Sequence, residues 1–276
     1  MKTIKKPLFS FGIFSLAAFS LITGCQKKEK LPQSERDLLI SAAFMEAAVQ
    51  DLKSMADEAA AGNFVTFKSG QAFFSGNCAT ITWDTTSTPK VITIDFGPVN
   101  CLCADGRYRR GKVIITYTGP YAADGTTITI QTQDYFVNDN QVIVTKTIQN
   151  LGPNPDGQPV FTVVAEGQII RTTGQTLSWN SERQRTWIAG YGTPEFTDDE
   201  YQISGFVQGS TGQGLQFNIV TLSPLWRQLT CRWFKAGILK IQRTGRPDLE
   251  IDYGNGTCDG IIQVTRNGQT YTINLE

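Results

Sequence analysis

The sequence predicts an all-β domain, an antiparallel meander forming a sandwich or a partly closed barrel, preceded by one amphipathic helix. Two observations carry this expectation. From Phe64 onward apolar and polar residues alternate with a period of two, in short runs separated by Gly, Asn, Asp and Pro. No helical pattern recurs between those runs, so no parallel βαβ unit can be assembled and neighbouring strands must run antiparallel. Ahead of them a single stretch repeats at spacings of three and four, the period of a helix face.

The chain opens with Lys2, Lys5 and Lys6, followed by an apolar run from Leu8 to Ile22. That run is the length of a signal-peptide core and short of the roughly 20 apolar residues a spanning helix needs. It closes on Leu21-Ile22-Thr23-Gly24-Cys25. Small residues before a cysteine resemble the lipobox of bacterial lipoproteins. The resemblance implies that residues 1–24 are a signal peptide and that Cys25 becomes the first residue, acylated on its thiol and its new amine. It also implies a cell-envelope location, anchored by lipid to the outer membrane, facing either the periplasm or the surface. Residues 25–33 then form the lipidated cysteine and a short charged tether.

The helix is expected over 34–62. Ser34 with Asp37 three residues on gives a start like a capping box. Leu38, Ala42, Met45, Val49, Leu52, Ala56 and Ala59 form one apolar seam. Gly62-Asn63 tolerates the left-handed conformation that ends a helix. The seam suits either a coiled-coil spacer or, the reading favoured here, a single helix packed on the β domain.

Residues 64–276 make the β-rich domain. Runs at 112–118, 126–137, 141–148, 160–170, 176–188, 201–208 and 215–222 read as strands. The last two, 261–266 and 269–275, are joined by Asn267-Gly268, the strongest short hairpin signal because a type I′ turn needs positive φ at both positions. Asn138-Asp139-Asn140 and Pro153-Asn154-Pro155-Asp156-Gly157 are further turn chemistry.

Composition narrows the function. Removal of the three signal lysines leaves 22 basic against 25 acidic residues, without the basic face that nucleic acid requires. There is no histidine, which excludes Ser-His-Asp and Cys-His catalysis and most catalytic zinc sites. Hydrolysis by a carboxylate pair stays open, with Glu166, Glu182 and Glu195 as candidates. No cofactor is expected.

Two segments, about 78–118 and 231–276, resemble each other. Ile94-Asp95-Phe96-Gly97 leads to Cys101 as Ile251-Asp252-Tyr253-Gly254 leads to Cys258, with Asp and Cys at the same offset. Each is preceded by another cysteine, Cys78 or Cys231. With Cys25 acylated, the repeat suggests bridges Cys78–Cys101 and Cys231–Cys258 in an oxidising compartment. Cys103 is the remaining thiol and competes with Cys101 for the first bridge; metal binding by Cys101-Leu102-Cys103 is the alternative. Asp95, Asp105, Asp252 and Asp259 suit turn capping better than calcium, and no metal site is expected. Thr197-Asp198-Asp199-Glu200 reads as a solvated loop.

On one continuous strand Trp179, Arg183, Arg185 and Trp187 share a face; with a turn at Ser181-Glu182 the two tryptophans would oppose across a hairpin instead. Exposed, they would offer flat platforms for sugar rings and forks for anions; the competing reading is a ladder that braces the sheet. Trp226 and Trp233 flank Cys231 and read as packing around a disulfide. The lipobox, the N-terminal helix, the Asp-Phe-Gly…Cys…Asp105-Gly106-Arg107…Arg110-Gly111-Lys112 motif, the Trp179…Trp187 segment and the closing Ile-Asp-Tyr-Gly-Asn-Gly-Thr-Cys-Asp look like uncharacterised lipoproteins of the Bacteroidota. The resemblance supports localisation and fold class and brings no activity. The expected function is a non-catalytic, membrane-anchored binding or structural module, for glycans or an envelope partner. The alternative is a histidine-free carboxylate hydrolase of polysaccharide.

Overall fold

The computed structural model describes residues 31–61, 78–193, 197–231 and 233–275. The signal, Cys25, Gly62-Asn63 and Glu195 lie outside them. All described residues but Leu31 belong to one compact unit, Pro32–Glu276.

Helix α1 spans Gln33–Ala61. Its first amides, those of Glu35 and Arg36, donate to the Pro32 carbonyl at 3.0 and 3.1 Å. The capping box expected from Ser34 does not form: Ser34 lies inside the first turn, and its hydroxyl accepts from Arg246 at 3.1 Å.

Fourteen strands follow among the described residues. They are β1 (Thr80–Asp84), β2 (Lys90–Asp95), β3 (Cys101–Leu102), β4 (Tyr108–Tyr117), β5 (Thr127–Val137), β6 (Asn140–Pro153) and β7 (Pro159–Ile170). After these come β8 (Thr176–Ala189), β9 (Glu200–Thr211), β10 (Gln216–Gln228), β11 (Ala236–Arg243), β12 (Arg246–Asn255), β13 (Ile261–Arg266) and β14 (Gln269–Asn274). They pair antiparallel in sequence order into one open sheet, with the two-residue β3 set beside β4. One continuous sheet replaces the sandwich alternative. The turn chemistry behaves as its residue types require: φ is +50° and +77° at Asn267 and Gly268, and +46° and +61° at Asn138 and Asp139.

The sheet curves round the helix. Asp51 faces Arg107 and Arg109 at the start of β4 and also Arg227 of β10. Six strand spacings separate β4 from β10, roughly 29 Å in a flat sheet, too far for one aspartate to meet both. Glu46 likewise senses β6, β8, β10 and β12 through Lys146, Arg183, Arg227 and Tyr253. The helix therefore runs inside an incompletely closed barrel. Its expected seam is packed, with Leu52, Ala56 and Ala59 almost fully buried, but so are Leu39, Ala48, Met55 and Ala60 on other faces. A helix lined by strands on several sides needs more than one apolar stripe.

Gly111 shows how the curvature is accommodated. At φ +88° it sits where the β4–β5 register shifts opposite Asp134, itself at φ +46°. A Cβ at this position would overlap the Asp134 carbonyl and crowd the Tyr135 Cα at 2.8 Å. Gly111→Ala is expected to destabilise the protein by about 3 kcal/mol or more, since it adds backbone strain to a clash with main chain. Urea denaturation would check this.

Candidate functional site

Residues 179, 183, 185 and 187 share one face of β8, and that face is turned to the helix. Trp179, Arg185 and Trp187 are at most 7 % exposed. Trp187 stacks on Tyr201 at 5.5 Å, Tyr121 stacks on Phe161 at 4.8 Å, and the Arg185 guanidinium lies over Tyr201 and Phe161 at 4.7 and 5.2 Å. Arg183 binds Glu46 at 2.7 Å. The four side chains brace the sheet against α1 and leave no open platform for a ligand.

Around them runs a seam of charged side chains on the inner side, with Lys146 at the same parity of β6 as Val142, Val144 and Ile148. Lys146 is 1 % exposed, and its ammonium donates to the Val49 carbonyl at 3.0 Å. Burial, reinforced by the Arg185 and Lys53 charges, pushes its pKa down to about 7, against the pull of Glu46 and Asp57. Burial likewise lowers Lys53 to about 8, although Asp57 pairs with it. For Glu46, desolvation works to raise the pKa, and Arg183 outweighs it, so the carboxylate stays ionised. Thr197 and Asp198 are exposed, in keeping with a solvated loop, but Asp199 is buried at 2 % exposure and faces this cluster, which corrects the expectation for that residue. A cavity of about 30 Å³ lies here, lined among others by Glu46, Gln50, Lys146, Trp179, Ser181 and Arg183. It has room for a water with several polar partners and not for a sugar or a substrate.

Two further ion clusters pin the helix. The fully buried Arg109 grips both Asp105 carboxylate oxygens at 2.6 Å and donates to the Tyr135 hydroxyl at 3.1 Å. Glu35 forms an ion pair with Arg243 at 3.0 Å and accepts a hydrogen bond from Arg266 at 3.1 Å. Nothing in the sequence singled out Arg109, Lys146, Lys53 or Glu46 as interior residues.

The cysteines pair as Cys78–Cys101 and Cys231–Cys258, with Cys103 free and buried. The two resembling segments share local geometry: Asp95 and Asp252 each accept from the amide two residues on, Gly97 or Gly254, at 2.8 Å. Asp259 accepts from the Ile261 amide at 3.0 Å, and Asp105 is committed to Arg109. These aspartates cap turns or hold arginine. Among the described residues no three or more Cys, Asp or Glu side chains are placed to hold a metal. Trp226 donates to Glu200 at 3.0 Å beneath the Lys235 ammonium, and Trp233 packs beside Gly260, next to the second bridge.

The face turned away from the helix has a different chemistry. Gln131, Thr145, Asn180, Gln208, Asn218 and Gln242 pair in one row across the strands, with Glu166 of β7 as its single charge. Gln168 donates to Ser178 at 3.0 Å and Asn218 to Gln242 at 3.2 Å along the same face. From β5 to β11 this row of amides and hydroxyls spans roughly 29 Å along the sheet. Glu166 stands in this row and Glu182 beside it on the same outer face, diagonal neighbours opposite Asn180 and Val164. Both are exposed, without the burial that sets an acid apart from a base. No protein family, curated protein or solved structure matches this chain.

Proposed function

We propose that the chain is a non-catalytic lipoprotein of the cell envelope, anchored through Cys25 to the outer membrane, whose outer sheet face binds neutral glycan. The observation that carries this reading is the row of amides and a hydroxyl across β5 to β11, in which Glu166 is the single charge. Such groups donate and accept hydrogen bonds at strand spacing, the exchange an extended polyhydroxyl chain can make. The inner face is filled by α1, so the surface left for a partner is the outer one. Each well-placed hydrogen bond contributes about 1 kcal/mol, and the strength of such a surface rests on repetition.

The test uses the full chain and its Cys25→Ser variant. The wild type is expected to take up a palmitate analogue, and Cys25→Ser to take up none. In affinity gels the Cys25→Ser chain is expected to be retarded by neutral polysaccharide more than by acidic polysaccharide. Adding Asn180→Leu and Gln208→Leu should weaken that retardation on the order of 5-fold or more. Equal mobility in all gels, or retention unaffected by the two substitutions, would overturn the glycan assignment.

A further inference from the structure

The Cys103 sulfur lies 3.1 Å from the Cys78 sulfur, while Cys78 is bonded to Cys101. Residues 101 and 103 stand two apart, at the start of and just beyond β3, and alternate positions of an extended chain share a face, so both sulfurs are presented to Cys78. Cys103 is held there by its own backbone. Its amide donates to the Arg107 carbonyl and its carbonyl accepts from the Gly106 amide, each at 2.9 Å. The second bridge is built differently. Two residues beyond Cys258 stands Gly260 rather than a cysteine, and a Cβ there would meet the Trp233 indole nitrogen at 2.6 Å. The extra sulfur belongs to the first segment alone.

We infer that Cys78, Cys101 and Cys103 form an internal thiol–disulfide exchange site, with Cys78 the shared sulfur and Cys101 the thiol it releases for modification by a small disulfide. The Cys103 thiolate attacks the Cys78 sulfur. A Cys78–Cys103 bond forms as the Cys78–Cys101 bond breaks, and the electron pair leaves on Cys101, which takes up the proton Cys103 gave to solvent. The step is redox-neutral and needs no oxidant. Burial raises the Cys103 thiol pKa, with Asp105 adding to this, while the Arg109 guanidinium beside the sulfur pulls it back and offers the thiolate a partner.

The exchange changes which sulfur meets solvent. Cys103 is 3 % exposed, whereas Cys101 is half-buried on the short β3, beside exposed Val99, Leu102 and Tyr108. A Cys101 thiolate attacks a small disulfide such as cystine: one sulfur of that molecule joins Cys101 and the other leaves as a thiolate. Cys101 is thus the position at which a mixed disulfide forms; once a free thiol such as cysteine has removed that adduct, the Cys101 thiolate attacks Cys78 and Cys103 leaves, which restores the first bridge.

Oxidised full-length protein carrying Cys25→Ser, treated with cystine, alkylated and digested without reductant, tests this directly. Fragmentation across Leu102 distinguishes the two pairings. Both Cys78–Cys101 and Cys78–Cys103 peptides are expected, with the cysteine adduct on Cys101. The Cys101→Ser variant should re-form its bridge as Cys78–Cys103 and show no alkylated thiol. The Cys103→Ser variant should keep Cys78–Cys101 and take up at least 10-fold less cystine. The intact Cys231–Cys258 peptide reports that each variant has folded. A single Cys78–Cys101 species in the wild type with cystine on Cys103, or equal cystine uptake by Cys103→Ser, would overturn the proposal. Two alkylated thiols in a folded Cys101→Ser protein would do the same.

Discussion

Arg109→Met is expected to destabilise the protein by about 3–5 kcal/mol at neutral pH, the cost of removing one partner from a buried charge cluster. The side chain is completely enclosed, and its fork satisfies both oxygens of Asp105 as well as the Tyr135 hydroxyl. It also faces Asp51, whose pKa burial raises even with Arg107 and Arg109 nearby. Methionine fills much of the volume but takes away the guanidinium between two part-buried carboxylates, leaving them Arg107 and the Arg227 charge. Their protonation then becomes favourable. The loss relative to wild type should shrink as pH falls from 7 towards 4, because the variant relieves its uncompensated charge by binding protons. In the wild type Asp105 behaves oppositely. Burial acts to raise its pKa, the bonds from Arg109 prevail and lower it, and the stability this gives is lost as the carboxylate protonates in acid. Urea denaturation at pH 4.5 and 7 measures both. A loss below about 1 kcal/mol at pH 7, or one that grows in acid, would show that the cluster does not hold the β4 end of the helix.

Lys146→Met should act in the other direction. The folded protein binds the Lys146 proton only below about pH 7, whereas the unfolded chain holds it to about pH 10.4. Between those values the unfolded state carries the extra proton, so stability rises with pH by up to about 1.4 kcal/mol per unit. Below pH 7 both states are protonated, and this dependence flattens. Lys53 adds a parallel rise starting near pH 8. Above pH 10 the buried Tyr121 and Tyr201, whose pKa values burial raises, reverse the trend because the unfolded chain ionises first. Methionine removes a charge desolvated by the core and repelled by Arg185 and Lys53. It also removes an attraction to Glu46 and Asp57, but Glu46 keeps its bond to Arg183. The variant is expected to be more stable by about 1–4 kcal/mol at pH 6, with a shallower rise between pH 7 and 9. Denaturation midpoints at pH 6, 7.5 and 9 check this; an unchanged slope would show that Lys146 titrates outside this range.

The sequence exposes periodicity and turn chemistry well and interior charge poorly. Alternation places Trp179, Arg183, Arg185 and Trp187 on one face because a strand offers only two. It cannot say which face meets the core, since tryptophan and arginine suit a braced interior as well as an open platform. The Asn267-Gly268 turn is legible because few residue pairs adopt positive φ twice. The cysteine pairing is legible through the repeat. Arg109, Lys146 and Asp199 are less so: alternation puts Lys146 on the side of Val142, Val144 and Ile148, but the groups that satisfy a charge there lie far along the chain. Lys146 meets Val49 97 residues away, and no local pattern encodes that. The wrapping of the helix hides for the same reason: its seam looks like the stripe of a helix lying on a sheet, and the burial of Leu39 and Met55 requires strands from far along the sequence.

The bond from Arg266 to Glu35 joins residues 231 apart, and this has a consequence for assembly order. The helix is made first, yet one end of it is completed by the last hairpins. Until β11 and β13 arrive, Glu35 has neither of its arginines, and α1 remains a marginal helix without its enclosing strands. Contacts of such long sequence separation slow folding, because the intervening loop must close before they contribute. A nascent or truncated chain lacking β11 to β14 therefore displays apolar helix and sheet surfaces together. The finished fold conceals that surface only when its two ends have met.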